Sequence, residues 1–338
     1  MPKSFETPQA EIPQTEMPEI YKLRREELLQ KFSNERLKDI NIQRVKSFIE
    51  KEGGSLKQFI VIEPEELNEL KTITQDWTSG PKYFSRKETL GYYISNIDLI
   101  LIRRDKDYEQ VNGKIFTEGQ LVHELTHATS GFRKYVADED GFNYNPRVGF
   151  VLTYTQFPWG WFFEEGWADM QRANYLTKYT PAEQRQNLAS ALKYGDIGLE
   201  DTVPILIAKS GNYVPVPLKY LHLCPKSGIN ISVSAFAAYA VELLCQQDPT
   251  WKQLIKEARN SSEGLRKFAQ AVEKRSPGLY KKLQVGDYDI ESFETKLLLV
   301  INEIAGGKEN VIKAKGLLKS VWANILTKES EKNSGVTT

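Results

Sequence analysis

Two histidines and a glutamate stand close together in the segment L-V-H-E-L-T-H-A-T at residues 121–129. Positions i and i+4 of a helix lie one above the other, so His123 and His127 would offer both imidazoles to one metal ion, with Glu124 beside them. Two neutral imidazoles and a carboxylate are a ligand set that suits zinc. The spacing therefore predicts a zinc site on a helix.

Chance and a solvent-exposed helix are the alternatives to a metal site. Because the chain has only three histidines in 338 residues, an accidental H-E-x-x-H is expected on the order of a few times per thousand such chains. The neighbouring residues are mostly Leu, Val and Ala, which favour a buried helix. Charge buried there without a partner is costly, so a metal ion is the better interpretation.

The ends of this helix also have sequence signals. Thr117 is expected to be the N-cap, with Gln120 at the capping-box position, and Glu118 suits the positive end of the helix. Gly131 is expected to end the helix in a left-handed conformation.

A catalytic zinc ion normally has a third protein ligand, and several residues compete for this role. His222 lies in an apolar run with no spacing rule that ties it to the motif, and the acidic residues 138–140 are typical of a turn. The pattern H-E-x-x-H-x-x-G-x-x-H is absent, because Ser130 and Arg133 occupy its last two defined positions.

A second acidic motif, in F-F-E-E-G-W-A-D-M at residues 162–170, is a better candidate. Glu165 and Asp169 are four positions apart and so lie on one helix face. One carboxylate can bind the metal while the other accepts the N–H of a ligand histidine. The aromatic surroundings make an unpaired carboxylate costly here.

Together the motifs H-E-L-T-H at 123–127 and F-E-E-G-W-A-D at 163–169 resemble those of the gluzincin metallopeptidases. The closest pattern is that of the peptidase-MA-like branch, in which an aromatic residue or Leu precedes E-G-x-A. The resemblance covers about residues 56–275. About 37 residues separate His127 from Glu165, more than in thermolysin-like relatives, so residues 141–156 are expected to be an inserted hairpin near the cleft.

The resemblance implies specific roles for five residues. His123, His127 and Glu165 would be zinc ligands. Glu124 would be the general base that activates zinc-bound water, and Asp169 would support a ligand histidine. It also implies an α+β, zincin-like fold, in which a small mixed sheet and the active-site helices precede a mainly helical C-terminal part.

The two adjacent glutamates of the second motif, Glu164 and Glu165, are expected to contribute differently to zinc affinity. Neighbouring helix positions point about 100° apart, so Glu164 and Glu165 cannot both face one ion. Glu165 pairs with Asp169 and precedes Gly166, which could allow the motif helix to approach closely. Glu164 has no such partner, so we expect it to be dispensable for zinc affinity.

Apolar, β-branched runs predict a small sheet. Strands are expected at residues 58–62, 90–94 and 97–102, the last two joined by a tight turn at Ser95-Asn96. Residues 99–102 are expected at the rim of the cleft, where an extended peptide could add to the sheet edge. Helices are expected at residues 19–51, 64–77, 162–178, 181–196, 232–247, 249–259, 262–274, 290–305 and 309–327.

These elements suggest a linear organisation. It comprises a disordered Pro-rich tail (1–18), an N-terminal helical segment (19–55), a catalytic lobe (56–180), a helical C-terminal lobe (181–329) and a frayed tail (330–338).

Composition limits the partners and the compartment. Lys plus Arg equals Asp plus Glu at 45 each, which argues against nucleic acid or an anionic membrane as the main partner. No apolar run approaches the roughly 18 residues of a membrane span, and the N-terminus lacks the apolar core of a signal peptide, so a cytoplasmic location is expected. Cys224 and Cys245 are too few for a disulfide scaffold.

The functional expectation is a zinc-dependent hydrolase, foremost a peptidase acting on peptides or proteins. Tyr220, His222 and Tyr239 are candidate donors to the oxyanion. Two alternatives stay open: a catalytically silent, zinc-stabilised binding protein on the same fold, and hydrolysis of a non-peptide amide.

Overall fold

The protein is mostly helical with a small mixed sheet, which agrees with the expected α+β class. A computed structural model describes residues 17, 19–32, 39–75, 90–130, 136–137, 143–144, 147–152, 160–181, 202–207, 212–224, 228–284 and 290–304. Its helices are α1 (Glu19–Lys31), α2 (Ile42–Lys51), α3 (Leu67–Ile73), α4 (Lys106–Asn112), α5 (Ile115–Ala128), α6 (Trp161–Tyr179), α7 (Ser234–Gln247), α8 (Thr250–Asn260), α9 (Ser262–Arg275), α10 (Leu279–Gln284) and α11 (Ile290–Glu303). Its strands are β1 (Phe59–Ile62), β2 (Gly91–Ile94), β3 (Leu99–Arg103), β4 (Val136–Ala137), β5 (Asn143–Tyr144), β6 (Arg147–Val148), β7 (Val151–Leu152), β8 (Thr202–Ile207), β9 (Asn212–Pro217), β10 (Leu221–Cys224) and β11 (Gly228–Ile231).

The three-stranded sheet has the order β1-β3-β2, with β1 parallel and β2 antiparallel to β3. All five residues of β3 are buried, as expected for a central strand covered on both faces. The prediction that residues 99–102 form the rim of a cleft is therefore wrong, because this strand is paired on both sides. Among the described strands, β1 and β2 form the two edges of this sheet.

The link between β2 and β3 also differs from the predicted two-residue turn. Residues Ser95–Ile97 form one 3₁₀ turn, and Asp98 rather than Asn96 takes the left-handed conformation, with φ 49°. Aspartate tolerates this conformation better than most residues, and its carboxylate accepts a hydrogen bond from the Tyr93 hydroxyl at 3.1 Å.

The motif helix α5 begins earlier than predicted. Lys114 is its N-cap, and Thr117 lies inside the first turn, where its hydroxyl donates to Glu109 at 2.6 Å. Gly113, with φ 77°, ends α4 and leaves only a short link, so α5 starts before Thr117. The helix ends at Ala128, and the predicted terminator Gly131 lies outside the described residues.

Helix α6 matches the prediction for residues 162–178 closely, but Gly166 serves a different neighbour. A side chain at Gly166 would lie 2.6 Å from the Ala237 carbonyl oxygen and 3.0 Å from Val241, both on α7. The missing side chain therefore admits α7, not the motif helix α5 as expected.

The other predicted helices agree with the structure in part. The predicted helix at residues 19–51 is two helices, α1 and α2, whereas the predicted helices at 232–247, 249–259, 262–274 and 290–305 are present. The helix from Pro64 begins as a 3₁₀ turn and ends at Ile73, before the expected end at Trp77. The predicted helices at 181–196 and 309–327, the tail 330–338 and most of the tail 1–18 lie outside the described residues.

Two regions contain strands that the sequence analysis missed or misplaced. The hairpin β8–β9 and the hairpin β10–β11 lie within the C-terminal part, which was expected to be mainly helical. Pro204 pairs with Pro215, which a two-stranded ladder tolerates because, among the described strands, β8 and β9 pair only with each other. Instead of one hairpin at 141–156, β4 pairs with β5 and β6 pairs with β7.

The described residues form three buried apolar clusters. The largest joins α6 to α7–α11 and includes Phe163, Phe236 and Phe268. The second lies between α2, α5 and one face of the sheet, and the third packs α1 against the other face. Since α6 contributes to the first two clusters, it connects the sheet side of the protein to the C-terminal helices. Among the described residues, every helix is too short or too polar for a transmembrane segment.

A buried polar cluster fixes the first turn of α5. The Glu118 carboxylate accepts hydrogen bonds from the Arg44 guanidinium at 2.6 Å and 3.1 Å, from the Asn41 backbone N–H at 3.0 Å and from the Tyr175 hydroxyl. Arg44 and Asn41 belong to the start of α2, and Tyr175 belongs to α6. Glu118 therefore ties three helices together behind the metal-binding motif.

Replacing Glu118 by Gln should lower the free energy of unfolding by about 1–3 kcal/mol, because the buried carboxylate loses the charge that pairs with the partly buried Arg44 guanidinium. Urea unfolding measures this change. The matched control is Glu50→Gln, whose partner Lys46 is about half exposed and whose effect should stay below about 0.5 kcal/mol. Equal effects of the two substitutions would contradict the role of Glu118.

Candidate metal centre

The crossing of α5 and α6 brings His123, His127 and Glu165 together, with one ligand atom of each within 4.8 Å of the others. The two Nε2 atoms are 3.1 Å apart. The Glu165 carboxylate oxygens lie 3.3 Å from the Nε2 of His123 and 3.6 Å from the Nε2 of His127. The structure thus joins the two motifs that the sequence analysis singled out.

These separations fit a metal ion of the size of zinc. Ligand atoms about 2.0–2.1 Å from a tetrahedral zinc ion lie about 3.3 Å from one another. Two ring nitrogens 3.1 Å apart also require a proton or a cation between their lone pairs. The donor set of two imidazoles and one carboxylate leaves a fourth position for water or substrate, as in catalytic zinc sites.

The first ligand histidine is oriented as expected. Asp169 accepts a hydrogen bond from the His123 Nδ1 at 2.9 Å, which leaves Nε2 to face the other ligands. Asp169 is fully buried and also contacts Arg172 at 3.1 Å and the Ser234 hydroxyl. Burial alone would raise the pKa of Asp169, but Arg172 and these hydrogen bonds hold it well below its usual range.

The second ligand histidine is oriented by Glu164, so the expectation that Glu164 lacks a partner is wrong. The Glu164 Oε1 accepts a hydrogen bond from the His127 Nδ1 at 3.0 Å. The same carboxylate accepts two hydrogen bonds from Arg259, at 2.8 Å and 3.0 Å, and one from the Phe150 N–H at 3.1 Å. Burial raises the pKa of Glu164, but the Arg259 charge and these hydrogen bonds outweigh it and lower the pKa to about 2.

The different directions of Glu164 and Glu165 explain how both can serve one metal. Glu165 faces the Nε2 side of the two imidazoles, whereas Glu164 reaches the Nδ1 side of His127. Position 149 must be glycine for this arrangement, because a side chain there would lie 1.9 Å from the Glu164 Oε2 and the backbone has φ 56°.

Arg259 is a functional-site residue that the sequence analysis missed. It lies 95 positions from Glu164, so no local spacing connects them. Its helical spacing could have indicated it, because Arg259 lies on the same buried face of α8 as Trp251 and Ile255. A charged residue on an apolar stripe needs a buried partner.

The charges of the cluster favour a divalent cation. Four acidic side chains, those of Glu124, Glu164, Glu165 and Asp169, lie at the helix crossing with only two guanidiniums, those of Arg172 and Arg259, among the described residues. Burial lowers the pKa of His123, yet its hydrogen bonds to Asp169 and Glu165 raise it to about 10. The surroundings therefore stabilise positive charge between the two imidazoles, as a bound Zn²⁺ would provide.

Glu124 lies beside the ligands and contacts the edge strand. It is 7% exposed, and this burial raises the pKa of its carboxyl group. The carboxylate accepts a hydrogen bond from the Tyr93 backbone N–H of β2. It also packs against Gly91, where a side chain would lie 2.5 Å from the Glu124 Oε1. The sheet edge thus positions the candidate base.

The three candidate oxyanion donors, Tyr220, Tyr239 and His222, lie in different surroundings. The fully buried Tyr220 donates its hydroxyl to Glu242 at 3.0 Å, so service as an oxyanion donor would require breaking this bond. Burial and the Glu242 charge raise the pKa of Tyr239 to about 12. His222 pairs with Asn230 in the β10–β11 ladder, and its side chain lies outside the described part of the protein.

Comparison of the chain with protein-family models, with curated proteins and with solved structures gave no match. The resemblance to the gluzincins therefore rests on the two motifs and on the arrangement of His123, His127 and Glu165.

Replacing Glu164 by Gln should destabilise the metal-free protein by about 3–5 kcal/mol at neutral pH, because Arg259 remains buried without a counter-charge. The pKa of Glu164 is lowered from 4.5 to about 2, so its ionised form stabilises the fold above pH 4.5 and loses this effect as the pH falls through about 2. The difference between parent and variant should therefore shrink below pH 4.5.

Urea unfolding with a chelator at several pH values measures this change. The control Glu263→Gln removes an exposed carboxylate paired with Arg266 and should change little at any pH. A difference between parent and Glu164→Gln that is the same at pH 3 and pH 7 would refute the assigned charge of Glu164.

Proposed function

We propose that this protein is a zinc-dependent hydrolase, and specifically a peptidase of the gluzincin kind. The observation that carries the proposal is the convergence of His123, His127 and Glu165 next to the buried Glu124. A protein that used zinc only for stability would need a closed set of four ligands. The described residues supply three and place a candidate base beside them.

His123, His127 and Glu165 would hold the metal. When bound there, zinc supplies a Lewis acid that polarises a carbonyl group and makes a water molecule more acidic. Asp169 and Glu164 fix the proton of each imidazole on Nδ1, so that both Nε2 atoms stay free to act as ligands.

Glu124 is suited to accept and return a proton. Burial raises the pKa of its carboxyl group, which makes the carboxylate a stronger proton acceptor than that of an exposed glutamate. The Tyr93 N–H and the close packing of Gly91 restrict where its carboxylate can lie. Glu124 would take a proton from water and deliver it to the leaving amine.

The edge strand β2 favours a peptide as the substrate. An extended peptide can pair with a sheet edge through main-chain hydrogen bonds. Among the described strands, β2 pairs with β3 alone and so lies at one edge of the sheet. The contact of Gly91 and Tyr93 with Glu124 places this edge directly beside the candidate base. A peptide backbone bound to β2 would lie next to the Glu124 carboxylate.

Replacing Glu124 by Gln should leave zinc bound and reduce peptide cleavage by about 10²- to 10⁴-fold, because the base is removed while the ligands stay. Metal analysis measures the zinc, and mass spectrometry of a digested peptide library measures cleavage. His123→Ala should lose both zinc and cleavage, whereas the exposed control Glu50→Gln should keep both. A parent protein that binds zinc but cleaves nothing would favour the silent binding protein.

Replacing Gly91 by Ala should displace the Glu124 carboxylate, since the new methyl group would lie 2.5 Å from Oε1 and 2.7 Å from Cγ. We expect cleavage to fall by about ten-fold or more, with zinc affinity within about three-fold of the parent. The double variant Gly91→Ala/Glu124→Gln should be no less active than Glu124→Gln alone. A further loss in the double variant would show that Gly91 acts on the substrate instead.

A further inference from the structure

Arg259 reaches from α8 into the junction of the two motif helices. Its side chain is buried, and its guanidinium forms a two-pronged contact with Glu164, Nε to Oε2 at 3.0 Å and Nη2 to Oε1 at 2.8 Å. Nη2 also donates to the backbone carbonyl of Thr126. One side chain from the C-terminal part thus contacts both α5 and α6.

We propose that Arg259 is a positioning residue of the metal centre, which holds His127 in place through Glu164 and through the end of α5. The inference rests on the proposed zinc site and adds to it a requirement for the C-terminal helices.

The first route from Arg259 to His127 runs through the side chain. Glu164 accepts the His127 Nδ1 hydrogen bond with the same oxygen, Oε1, that the Arg259 Nη2 contacts. A planar guanidinium holds both carboxylate oxygens at once, which fixes the plane of the carboxylate. The direction of the His127 ring, and with it the position of Nε2, follows from that plane.

The second route runs through the backbone. The Thr126 carbonyl belongs to the last turn of α5, where carbonyl groups lack partners within the helix. Arg259 donates to this carbonyl, which belongs to the peptide unit directly before His127. A cation at this end of a helix is also favoured by the helix dipole. Arg259 therefore restrains both the backbone and the imidazole of one ligand.

No other described contact of Glu164 brings a full positive charge. Its remaining partners are the His127 ring and the Phe150 N–H. Glu164 is fully buried, so loss of Arg259 would leave the carboxylate without its main counter-charge. The carboxylate would then be free to turn, and its hold on His127 would weaken.

Zinc titration against a competing chelator tests the proposal, with the ellipticity and unfolding midpoint of each metal-free variant measured beside it. Arg259→Met should bind zinc about 10- to 100-fold more weakly than the parent. Arg259→Lys, which keeps the charge but not the two-pronged contact, should lie between them. The control Arg266→Met removes an exposed guanidinium of α9, and its zinc affinity should stay within about two-fold of the parent.

Two further readouts separate positioning from general stability. The visible spectrum of the cobalt(II)-loaded protein should change in Arg259→Met, because the ligand geometry around the metal changes. The double variant Glu164→Gln/Arg259→Met should lose less zinc affinity than the two single losses combined, since one of the two routes from Arg259 to His127 runs through Glu164.

Several outcomes overturn the inference. Zinc affinity of folded Arg259→Met within about two-fold of the parent would assign Arg259 a merely structural role, and so would fully additive losses in the double variant. If Arg259→Met does not fold, parent-like zinc affinity in Arg259→Lys has the same meaning. A parent protein that binds no zinc refutes the proposed metal site itself, which distinguishes that failure from the failure of this inference.

Discussion

The structure depends on pairing charge inside an apolar core. Helices α5 and α6 carry Glu124, Glu164, Glu165 and Asp169 into the interior, where an uncompensated carboxylate is costly. The guanidiniums of Arg172 and Arg259 neutralise part of this charge, and a divalent cation between the two neutral imidazoles would neutralise the rest. The position of nearly every polar side chain at the crossing follows from this requirement.

The pairing is shared between distant parts of the chain. Each candidate ligand histidine is hydrogen-bonded to its own carboxylate from α6. Each of these carboxylates is contacted by a residue that follows α6: Ser234 on α7 contacts Asp169, and Arg259 on α8 contacts Glu164. The largest apolar cluster presses these same helices against α6. The predicted division into a catalytic lobe and a helical lobe stays a prediction, but the site draws on both.

The sheet has a separate role. Because β3 is buried between two neighbours, β2 is left at the edge next to the motif helix. Gly91 and Tyr93 of that strand define the position of Glu124, one by lacking a side chain and the other by donating its backbone N–H. The same strand, β2, would therefore position both a substrate backbone and the candidate base.

The sequence by itself determined what local spacing controls. Four-residue separations on a helix place His123 above His127 and Glu165 near Asp169, so the metal cluster and the support of His123 could be predicted. The strands of the sheet could also be predicted from local sequence, because a strand that is buried on both faces consists of a continuous apolar run. The prediction that Thr117 is the N-cap of α5 was wrong, because α4 ends so close to α5 that α5 starts before Thr117.

Only the tertiary structure decided the contacts between residues far apart in the chain. The partner of Glu164 lies 95 positions away on α8, and no periodicity within either helix points to the other. Which strand forms the sheet edge depends on the parallel pairing of β1 with β3, a choice made by packing and not by strand composition. The candidate ligands could therefore be predicted from spacing, whereas the groups that hold them in place were set by how the helices and strands pack.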